Sequence, residues 1–536
     1  MKRSEYDYED QIENNTLQIT EDSYITQLSF FQYFENLEHL IIRHCPQVQP
    51  VLTSDFITEL VLEHCQVRST EQLNLPQLRE LSLSNNDCQD IISLQFMQKL
   101  VKLNLSRNSL INISVLTKLL NLTDLDISKN FNVDHSPLKY MTQLIKLNAG
   151  STNIKNSALL KTLVNLKELD LSKNIDCDIS SLKYLVKLTH LNLSDTCVQD
   201  ISALEPLIHL EDLNVANDFC ANVFYVDITP LKNMKKLQAI TSSNMQLLNT
   251  HIFNQIFSLK KLDLSKQITP LNLSQLNVEY LNMSYTEGID LNHLQSMTAL
   301  TSLHLQYCKL TNISYLAFLN LRDLDVSYNP GIDISPLEHM NSLIQLEISY
   351  CNLKVISALK NLTTLQKLGL YMNKYIDITP LQYLIQLTDL HLSNCEILEI
   401  SALSPLYNLK RLDISQNQII DISPLQKMQF TSLRFLNNRV IDLSPIKKHP
   451  NFNTYVYNYQ QQPTNEDLLA SNFMHQIYAW TTFIRNMPRR LKLSTQQFLT
   501  TQEKIRVAQK QMELNLQMFI NKVNQLFIIS QMESQQ

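Results

Sequence analysis

Apolar residues recur along most of the chain in the nine-residue pattern L-x-x-L-x-L-x-x-N. The best copies read LTDLDISKN, LKELDLSKN and LKRLDISQN. A weaker copy precedes the others around Leu17 and Ile19. The commonest distance between copies is 22 residues. The first apolar position of nineteen units is occupied by Leu37, Ile57, Leu78, Leu100, Leu122, Leu144, Leu166, Leu188, Leu210, Leu237, Leu259, Val278, Leu300, Leu321, Leu343, Leu365, Leu387, Leu409 and Phe430.

Within each unit, apolar and polar positions alternate, as in a strand that buries one face. A single strand of this kind cannot bury its apolar face alone. Successive units that stack in parallel form one continuous core, with each unit contacting its neighbours. The pattern therefore predicts an α/β solenoid, with a curved parallel sheet on its concave face.

The ninth position is Asn in the best copies and Cys, Thr, Asp or Gln in others. A short polar side chain at this turn is expected to bond exposed backbone groups and tie one coil to the next. Many units continue with a phrase such as DISPL, found at 333–337 and 421–425. We expect the serine to cap a short turn there and the proline to preset φ. The phrase is too short for a full α-helix, so it predicts 3-10 turns on the convex side.

These units resemble the 22-residue leucine-rich repeats of the SDS22-like class, and the DISPL phrase resembles bacterial internalins. The phrase also resembles intracellular repeat proteins of protists. The resemblance covers roughly residues 14–460. It implies a right-handed solenoid that binds proteins. It also suggests two specific functions, a protein phosphatase regulatory subunit and an internalin-like surface adhesin.

Composition and charge narrow the class of protein. Four glycines are few for a Rossmann or P-loop enzyme, in which glycine lets the backbone approach phosphate. The net charge of −6 disfavours nucleic acid and anionic membranes as partners. The start of the chain, MKRSEYDYEDQIENN, lacks the apolar segment of a secretory signal, and no apolar run approaches the ~18 residues of a membrane span.

The nine cysteines include no CxxC pair. Cysteines placed by a repeat position are expected to be structural thiols rather than a disulfide framework or a zinc site. Reduced cytosol is the compartment that this pattern predicts, and so a cytoplasmic protein. The ninth position is occupied by five of the cysteines, Cys45, Cys65, Cys308, Cys351 and Cys395.

Spacing and composition divide the chain into an N-terminal segment at 1–36, the solenoid at 37–450, a cap at 451–462 and a helical tail at 463–536. The spacing rises to 27 residues between Leu210 and Leu237, which indicates either a tolerated loop or a projecting bend. The tail predicts an amphipathic helix followed by a second helix with an incomplete heptad pattern. This second helix forms either an intramolecular hairpin or cap, or a surface for self-association or for docking a partner helix.

The third, fifth, seventh and eighth positions of each unit should face outward from the sheet. Between Leu78 and Leu210 these positions carry charges of mixed sign, which is typical of a solvated face. The charged side chains are Glu80, Lys102, Asp124, Asp126, Lys129, Glu168, Asp170, Lys173 and Asp212.

Farther along the chain the outward positions become aromatic. The eighth position of four successive units is Tyr285, Tyr307, Tyr328 and Tyr350, and Met372 follows. The same face carries Tyr280, His304 and Tyr371. In-register stacking predicts a ladder of rings. The ladder either packs on itself, as a product of repeat duplication, or forms a protein-binding hot spot, because tyrosine offers a large contact area and a hydroxyl.

The sequence offers little support for a metal site or a catalytic site. His39, His44, His64 and Cys65 lie close in the pattern, but Cys65 should point inward and the histidines outward, so a zinc site is disfavoured. GxSxG, HExxH and GxxxxGK[ST] motifs are absent from the sequence. The sequence therefore predicts a non-enzymatic cytosolic scaffold without a cofactor, whose partner is a protein.

Overall fold

The computed structural model describes residues 12–21, 25–220, 225–267, 273, 276–440 and 442–449. The predicted cap at 451–462 and the predicted helices of 463–536 lie outside the described residues. The chain divides into two units, Met1–Asn438 and Arg439–Gln536. In the second unit the described residues include one short 3-10 helix, Ser444–Ile446.

The described part of the first unit contains 24 short strands. In chain order they are β1 Thr16–Thr20, β2 His39–Arg43, β3 Leu52–Thr53, β4 Glu59–Glu63, β5 Leu73–Asn74, β6 Glu80–Ser82, β7 Lys102–Asn104, β8 Asp124–Asp126, β9 Lys146–Asn148, β10 Glu168–Asp170, β11 His190–Asn192, β12 Asp212–Asn214, β13 Tyr225–Asp227, β14 Ala239–Thr241, β15 Gln246–Leu248, β16 Lys261–Asp263, β17 Tyr280–Asn282, β18 Ser302–His304, β19 Asp323–Asp325, β20 Gln345–Glu347, β21 Lys367–Gly369, β22 Asp389–His391, β23 Arg411–Asp413 and β24 Ser432–Arg434.

Twenty of these strands form one parallel sheet within the described residues. Each strand pairs with the next unit in the same register, so that Leu303 lies beside Leu324 and Leu324 beside Leu346. The sheet includes β1, which confirms the weaker unit around Leu17 and Ile19. The remaining strands form two short pairs, β3 with β5 and β13 with β15. The predicted parallel-sheet solenoid is therefore confirmed.

Short 3-10 helices follow most of the strands, as the sequence predicts. In the first unit they span Ser29–Tyr33, Ile92–Phe96, Ser114–Lys118, Ser136–Tyr140, Ser157–Leu160, Ser180–Tyr184, Ser202–Leu204, Thr229–Asn233, Thr250–Gln255, Leu291–Ser296, Ser314–Phe318, Ser335–His339, Ser357–Asn361, Thr379–Tyr383, Ser401–Leu403 and Ser423–Leu425. The core lies between these helices and the sheet and consists mainly of leucine side chains that exclude water almost completely. Within the described residues, no helix is both long enough and apolar enough to cross a membrane.

Asparagines at the ninth position join neighbouring coils, as predicted. The buried Asn329 side chain donates to the carbonyl oxygen of Leu305 in the preceding coil at 2.8 Å and to that of Val326 in its own coil at 2.8 Å. Its carbonyl oxygen accepts from the backbone N–H groups of Cys308 and Leu310, each at 3.0 Å. One side chain thus satisfies four backbone groups that the turn would otherwise bury without partners.

Cysteines at the ninth position also form a hydrogen bond to the preceding coil. The thiol of Cys351 donates to the carbonyl oxygen of Val326 in the preceding coil at 3.3 Å. The thiol of Cys395 makes the equivalent bond to Leu370 at 3.2 Å. Burial raises the pKa of each of these two thiols to about 11. Their predicted structural role is confirmed.

The DISPL phrase forms its turn differently from the prediction. The aspartate, rather than the serine, is the capping acceptor: the carboxylate of Asp333 accepts from the backbone N–H of Ser335 at 2.9 Å and from its hydroxyl at 3.0 Å. Ser335 is instead the first residue of the 3-10 helix. A carboxylate two residues ahead of the helix accepts both bonds, whereas a hydroxyl inside the helix is placed to donate.

The long spacing between Leu210 and Leu237 is absorbed without breaking the sheet, because Asp212 of β12 pairs directly with Ala239 of β14. The structure places a disulfide at this point, between Cys197 and Cys220. This bond corrects the expectation of structural thiols alone. The repeat pattern does not indicate this bond, because neither cysteine occupies the ninth position.

Candidate binding face

The eighth position of each coil, just past the strand, has a left-handed backbone. In the four tyrosine-bearing coils φ is 61° at Tyr285, 55° at Tyr307, 60° at Tyr328 and 55° at Tyr350. The same conformation occurs at this position in other coils, where the residues include His44, Asn85, Arg107, Lys129, Ser151 and Lys173. The turn therefore imposes the conformation, and a bulky side chain tolerates it poorly, at a cost of about 1 kcal/mol or more.

The four tyrosine rings form a continuous stack, the tyrosine ladder. Successive ring centroids are 4.7 Å apart from Tyr285 to Tyr307, 4.1 Å from Tyr307 to Tyr328 and 4.3 Å from Tyr328 to Tyr350. Adjacent rings are tilted by 16° or less. The predicted ladder exists, and its faces are covered mainly by the neighbouring rings.

The tyrosine ladder is nevertheless open to solvent along its edges. Tyr285 is 48% exposed and Tyr307 is 42% exposed, whereas Tyr328 and Tyr350 are half-buried. A tyrosine side chain combines apolar contact area with a hydroxyl that can form hydrogen bonds.

The structure brings most of the other predicted residues to the ladder. Tyr371 packs edge-on against Tyr350 with centroids 5.1 Å apart, and a hydrogen bond with Tyr350 raises the pKa of Tyr371. Met372 occupies the next eighth position, with φ 60°. Tyr280 and His304 contact each other with ring centroids 5.2 Å apart, on the strands beside the ladder.

Beside the tyrosine ladder lies a group that sequence reasoning missed, the carboxylate patch of Asp323, Asp325 and Glu347. Asp323 accepts a hydrogen bond from Ser302 at 2.8 Å and contacts the His304 ring at 3.3 Å. This contact raises the pKa of His304 and lowers that of Asp323. Burial, together with Asp325 and Asp323, raises the pKa of Glu347 to about 7.

Gly369 explains how Glu347 fits into this patch. Glu347 lies at the fifth position of its unit, and Gly369 is its in-register neighbour on the next strand. A Cβ added to Gly369 would lie only 1.5 Å from a carboxylate oxygen of Glu347. The Glu347 carboxylate therefore occupies the space that a side chain at position 369 would fill. Gly369 is the only glycine at the fifth position in the nineteen units, which is the sequence signal for this arrangement.

We expect Glu347→Gln to stabilise the protein at about pH 8 more than at about pH 5. The folded-state pKa of Glu347 is about 7, above the usual glutamate value of 4.5. Between these values the folded state holds more protons than the unfolded state, so stability falls as pH rises. Above the folded pKa the wild type carries a buried charge that the variant lacks, a difference on the order of 2 kcal/mol.

Urea unfolding of both proteins at the two pH values measures this difference. Glu399→Gln, which changes an exposed glutamate, is the matched control. A stability difference between Glu347→Gln and wild type that stays constant with pH would show that the pKa of Glu347 is ordinary.

The N-terminal part of the same face is largely paired within itself. At the third position, Lys102 pairs with Glu80 at 2.7 Å and Lys146 with Glu168 at 2.8 Å. At the fifth position, Asn148 donates to Asp126 at 2.9 Å. These side chains line a groove of about 650 Å³ that extends over the strands from Glu59 to Asn214. The predicted mixed charges are thus present, and some of them bond to side chains of a neighbouring strand.

The histidines near the N-terminus do not assemble with Cys65. The ring of His39 hydrogen-bonds to Glu59 at 2.9 Å, while His44 stacks on His64 with centroids 4.5 Å apart. The Cys65 thiol is buried and donates to the carbonyl oxygen of Glu63 at 3.2 Å. Among the described residues no group of three or more His, Cys, Asp or Glu side chains could hold a metal ion.

A second aromatic set lies on the 3-10 helices, and sequence reasoning missed it as well. The last residue of several of these helices is a strongly exposed aromatic side chain, as at Phe96, Tyr140 and Phe318, which are 69%, 66% and 81% exposed. These rings recur two or more coils apart, so they do not stack on one another as the ladder does.

Comparison with known proteins gives the following matches. Residues 385–427 match the family model of leucine-rich repeats in two copies. Among the solved structures, a TLR13–ssRNA13 complex is 20% identical with a TM-score of 0.48, covering 82% of this chain and 78% of that one. An internalin from Listeria monocytogenes is 23% identical with a TM-score of 0.30, covering 75% of this chain and 88% of that one. None of the curated proteins matches this chain.

Proposed function

We propose that this chain, whose residues 385–427 match the family model of leucine-rich repeats, is a non-enzymatic intracellular scaffold that binds a protein partner on the open face of its parallel sheet. The observation that carries the proposal is the stacked tyrosine ladder from Tyr285 to Tyr350. Four adjacent coils place tyrosine where the backbone is left-handed, a conformation that suits asparagine better. A function for the exposed ring edges accounts for this unfavourable choice.

The form of the site favours a macromolecule over a small substrate. The ladder extends over four successive strands and is open along its length, whereas a small-molecule site is a concave pocket that buries most of its ligand. Tyrosine is enriched among the residues that contribute most to protein–protein binding, where it combines apolar area with a hydroxyl. His304 and Glu347, two groups with shifted pKa values, lie on this same open face.

We expect the variant with Tyr285, Tyr307, Tyr328 and Tyr350 all changed to alanine to lose its partner. Truncation of one well-placed interface tyrosine costs about 2 kcal/mol, or roughly thirtyfold in affinity. The loss of four such residues should remove copurification altogether. The measurement is affinity purification of the tagged protein from its native cytosol, followed by mass spectrometry.

The matched control changes Tyr140, Tyr184 and Tyr383, exposed aromatic residues of the 3-10 helices, to alanine. A partner retained by the control and lost from the ladder variant supports the proposal, provided that both variants keep the circular dichroism of the wild type. The same partners on all three proteins would show that the ladder only packs on itself.

The identity of the partner tests the narrower functions that the repeat resemblance suggests. A phosphatase catalytic subunit among the copurified proteins would favour the regulatory-subunit function. Delivery of the protein outside the cell would favour the surface-adhesin function and contradict a cytoplasmic scaffold. Self-association through residues 463–536 stays a prediction, because those residues lie outside the described part of the chain.

A further inference from the structure

We propose that the tyrosine ladder and the carboxylate patch together bind an extended basic segment of the partner protein. An arginine or lysine of that segment would place its cation on Glu347 and Asp325 and its apolar stem along Tyr350 and Tyr371. This inference rests on the proposed function and names the chemistry of the partner.

The charge of the patch favours a basic occupant. Neither Asp325 nor Glu347 forms an ion pair with a lysine or arginine of the described residues. The basic groups nearby are engaged elsewhere, since His304 contacts Asp323 and the Lys367 ammonium donates to Gln345 at 3.3 Å. The patch therefore keeps negative charge that a cation from outside would complement.

The surroundings of Glu347 differ from those of other acidic residues on the same face. At the fifth position elsewhere on the sheet, an acidic side chain accepts a hydrogen bond from an asparagine of the next strand, as Asp126 does from Asn148. The neighbour of Glu347 on the next strand, β21, is Gly369, which has no side chain to donate such a bond and leaves room for the carboxylate. Among the described residues, the Glu347 carboxylate thus has no such donor on the next strand and can accept one from outside the chain.

The tyrosine rings near the patch also favour a basic occupant. Tyr371 lies at the seventh position of the unit that contains Gly369, and its ring contacts Tyr350 edge-on. Arginine and lysine have long apolar stems that pack along such surfaces while the charged group reaches a polar site. A guanidinium also matches carboxylates geometrically, through paired N–H donors. Ring edges beside carboxylates therefore suit a basic side chain in both of its parts.

The experiment uses the full chain, immobilised, to select peptides from a random displayed library. Selected peptides are resynthesised, and their affinities are measured by fluorescence polarisation. Each is compared with a version in which citrulline, a neutral isostere, replaces arginine, or norleucine replaces lysine. We expect the selected peptides to be basic and the neutral versions to bind about tenfold or more weakly, as for the loss of a charged hydrogen bond.

Three variants test whether the basic group of the peptide binds at the Glu347 carboxylate. Glu347→Gln removes the charge, and Gly369→Ala keeps every charge but displaces the Glu347 carboxylate. Both should weaken the basic peptide about tenfold. Asp212→Asn makes the same charge change at an exposed third position of β12 and should leave the affinity within about twofold. Gly369→Ala should fold normally, because the group that must move is the end of a flexible side chain.

The outcomes separate this inference from the proposed function. Peptides that depend on the ladder but are neutral or acidic, or that bind Glu347→Gln and Gly369→Ala as tightly as wild type, would overturn the basic-segment inference and leave the scaffold intact. A library that yields no peptide dependent on the four tyrosines would count against both. Weakening by Asp212→Asn equal to that by Glu347→Gln would reduce the effect to overall charge and overturn the inference.

Discussion

Replacing Asn329 with alanine is expected to lower the free energy of unfolding by about 3 kcal/mol. The side chain is fully buried and bonds to backbone groups of two coils, among them the carbonyl oxygen of Leu305 and the N–H groups of Cys308 and Leu310. Alanine would leave these groups buried without partners, and each such group costs about 1–3 kcal/mol. Partial relaxation of the turn keeps the total below the simple sum.

Two further substitutions make this prediction specific. Asn341→Ala removes an exposed asparagine and should change stability by less than about 0.5 kcal/mol. Asn329→Cys should cost less than the alanine variant, because a thiol at this position can still donate to the preceding coil, as Cys351 does. Urea unfolding and amide exchange of β18 and β19 measure the effect. Equal stability of Asn329→Ala and Asn341→Ala would contradict the bridging role.

Phe31→Ala should destabilise the N-terminal coils by about 4 kcal/mol, the largest effect of a single substitution that we expect. Phe31 is fully buried in the 3-10 helix Ser29–Tyr33, and it is one of the two largest side chains buried to this degree. Its ring contacts those of Phe30, with centroids 4.0 Å apart, and Phe34, at 5.6 Å. Truncation would leave a cavity at the first coils of the solenoid, where β1 pairs with β2 alone among the described strands.

Amide exchange of β1 and β2 is the appropriate measurement, because a repeat protein can open locally without unfolding as a whole. Tyr33→Ala is the matched control, since Tyr33 lies on the same helix and is 74% exposed. We expect the control to keep the protection of wild type. If Phe31→Ala keeps it too, Phe31 does not hold the first coils together.

Strand and core positions could be predicted from the sequence because the same apolar pattern recurs in every unit. The apolar pattern identified nineteen units and a weaker one, and twenty strands pair in that order in the described residues. The eighth-position tyrosines could be placed beside one another for the same reason, since in-register stacking makes every position a continuous row. The basic-segment site and the binding role of the ladder stay predictions.

Other features depend on contacts that a repeat pattern does not encode. The carboxylate patch arises because Glu347 crosses to the space above Gly369, a local exception to the pattern. The capping role of Asp333 depends on backbone geometry at the start of a 3-10 helix, where aspartate and serine are both plausible from sequence. The disulfide between Cys197 and Cys220 depends on the path of the long unit, which no other unit repeats.

The side chains at the ninth position also bear on how such a chain could change its length. Asn329 and its equivalents make the same bonds to the coil before them, whichever coil that is. A duplication or deletion of one whole unit would therefore preserve the hydrogen bonds between the coils on either side of it. For the tyrosine ladder, this means that gene-level copying adds or removes one ring at a time. The avidity of the face for a long partner could then evolve in discrete steps, without redesign of the framework.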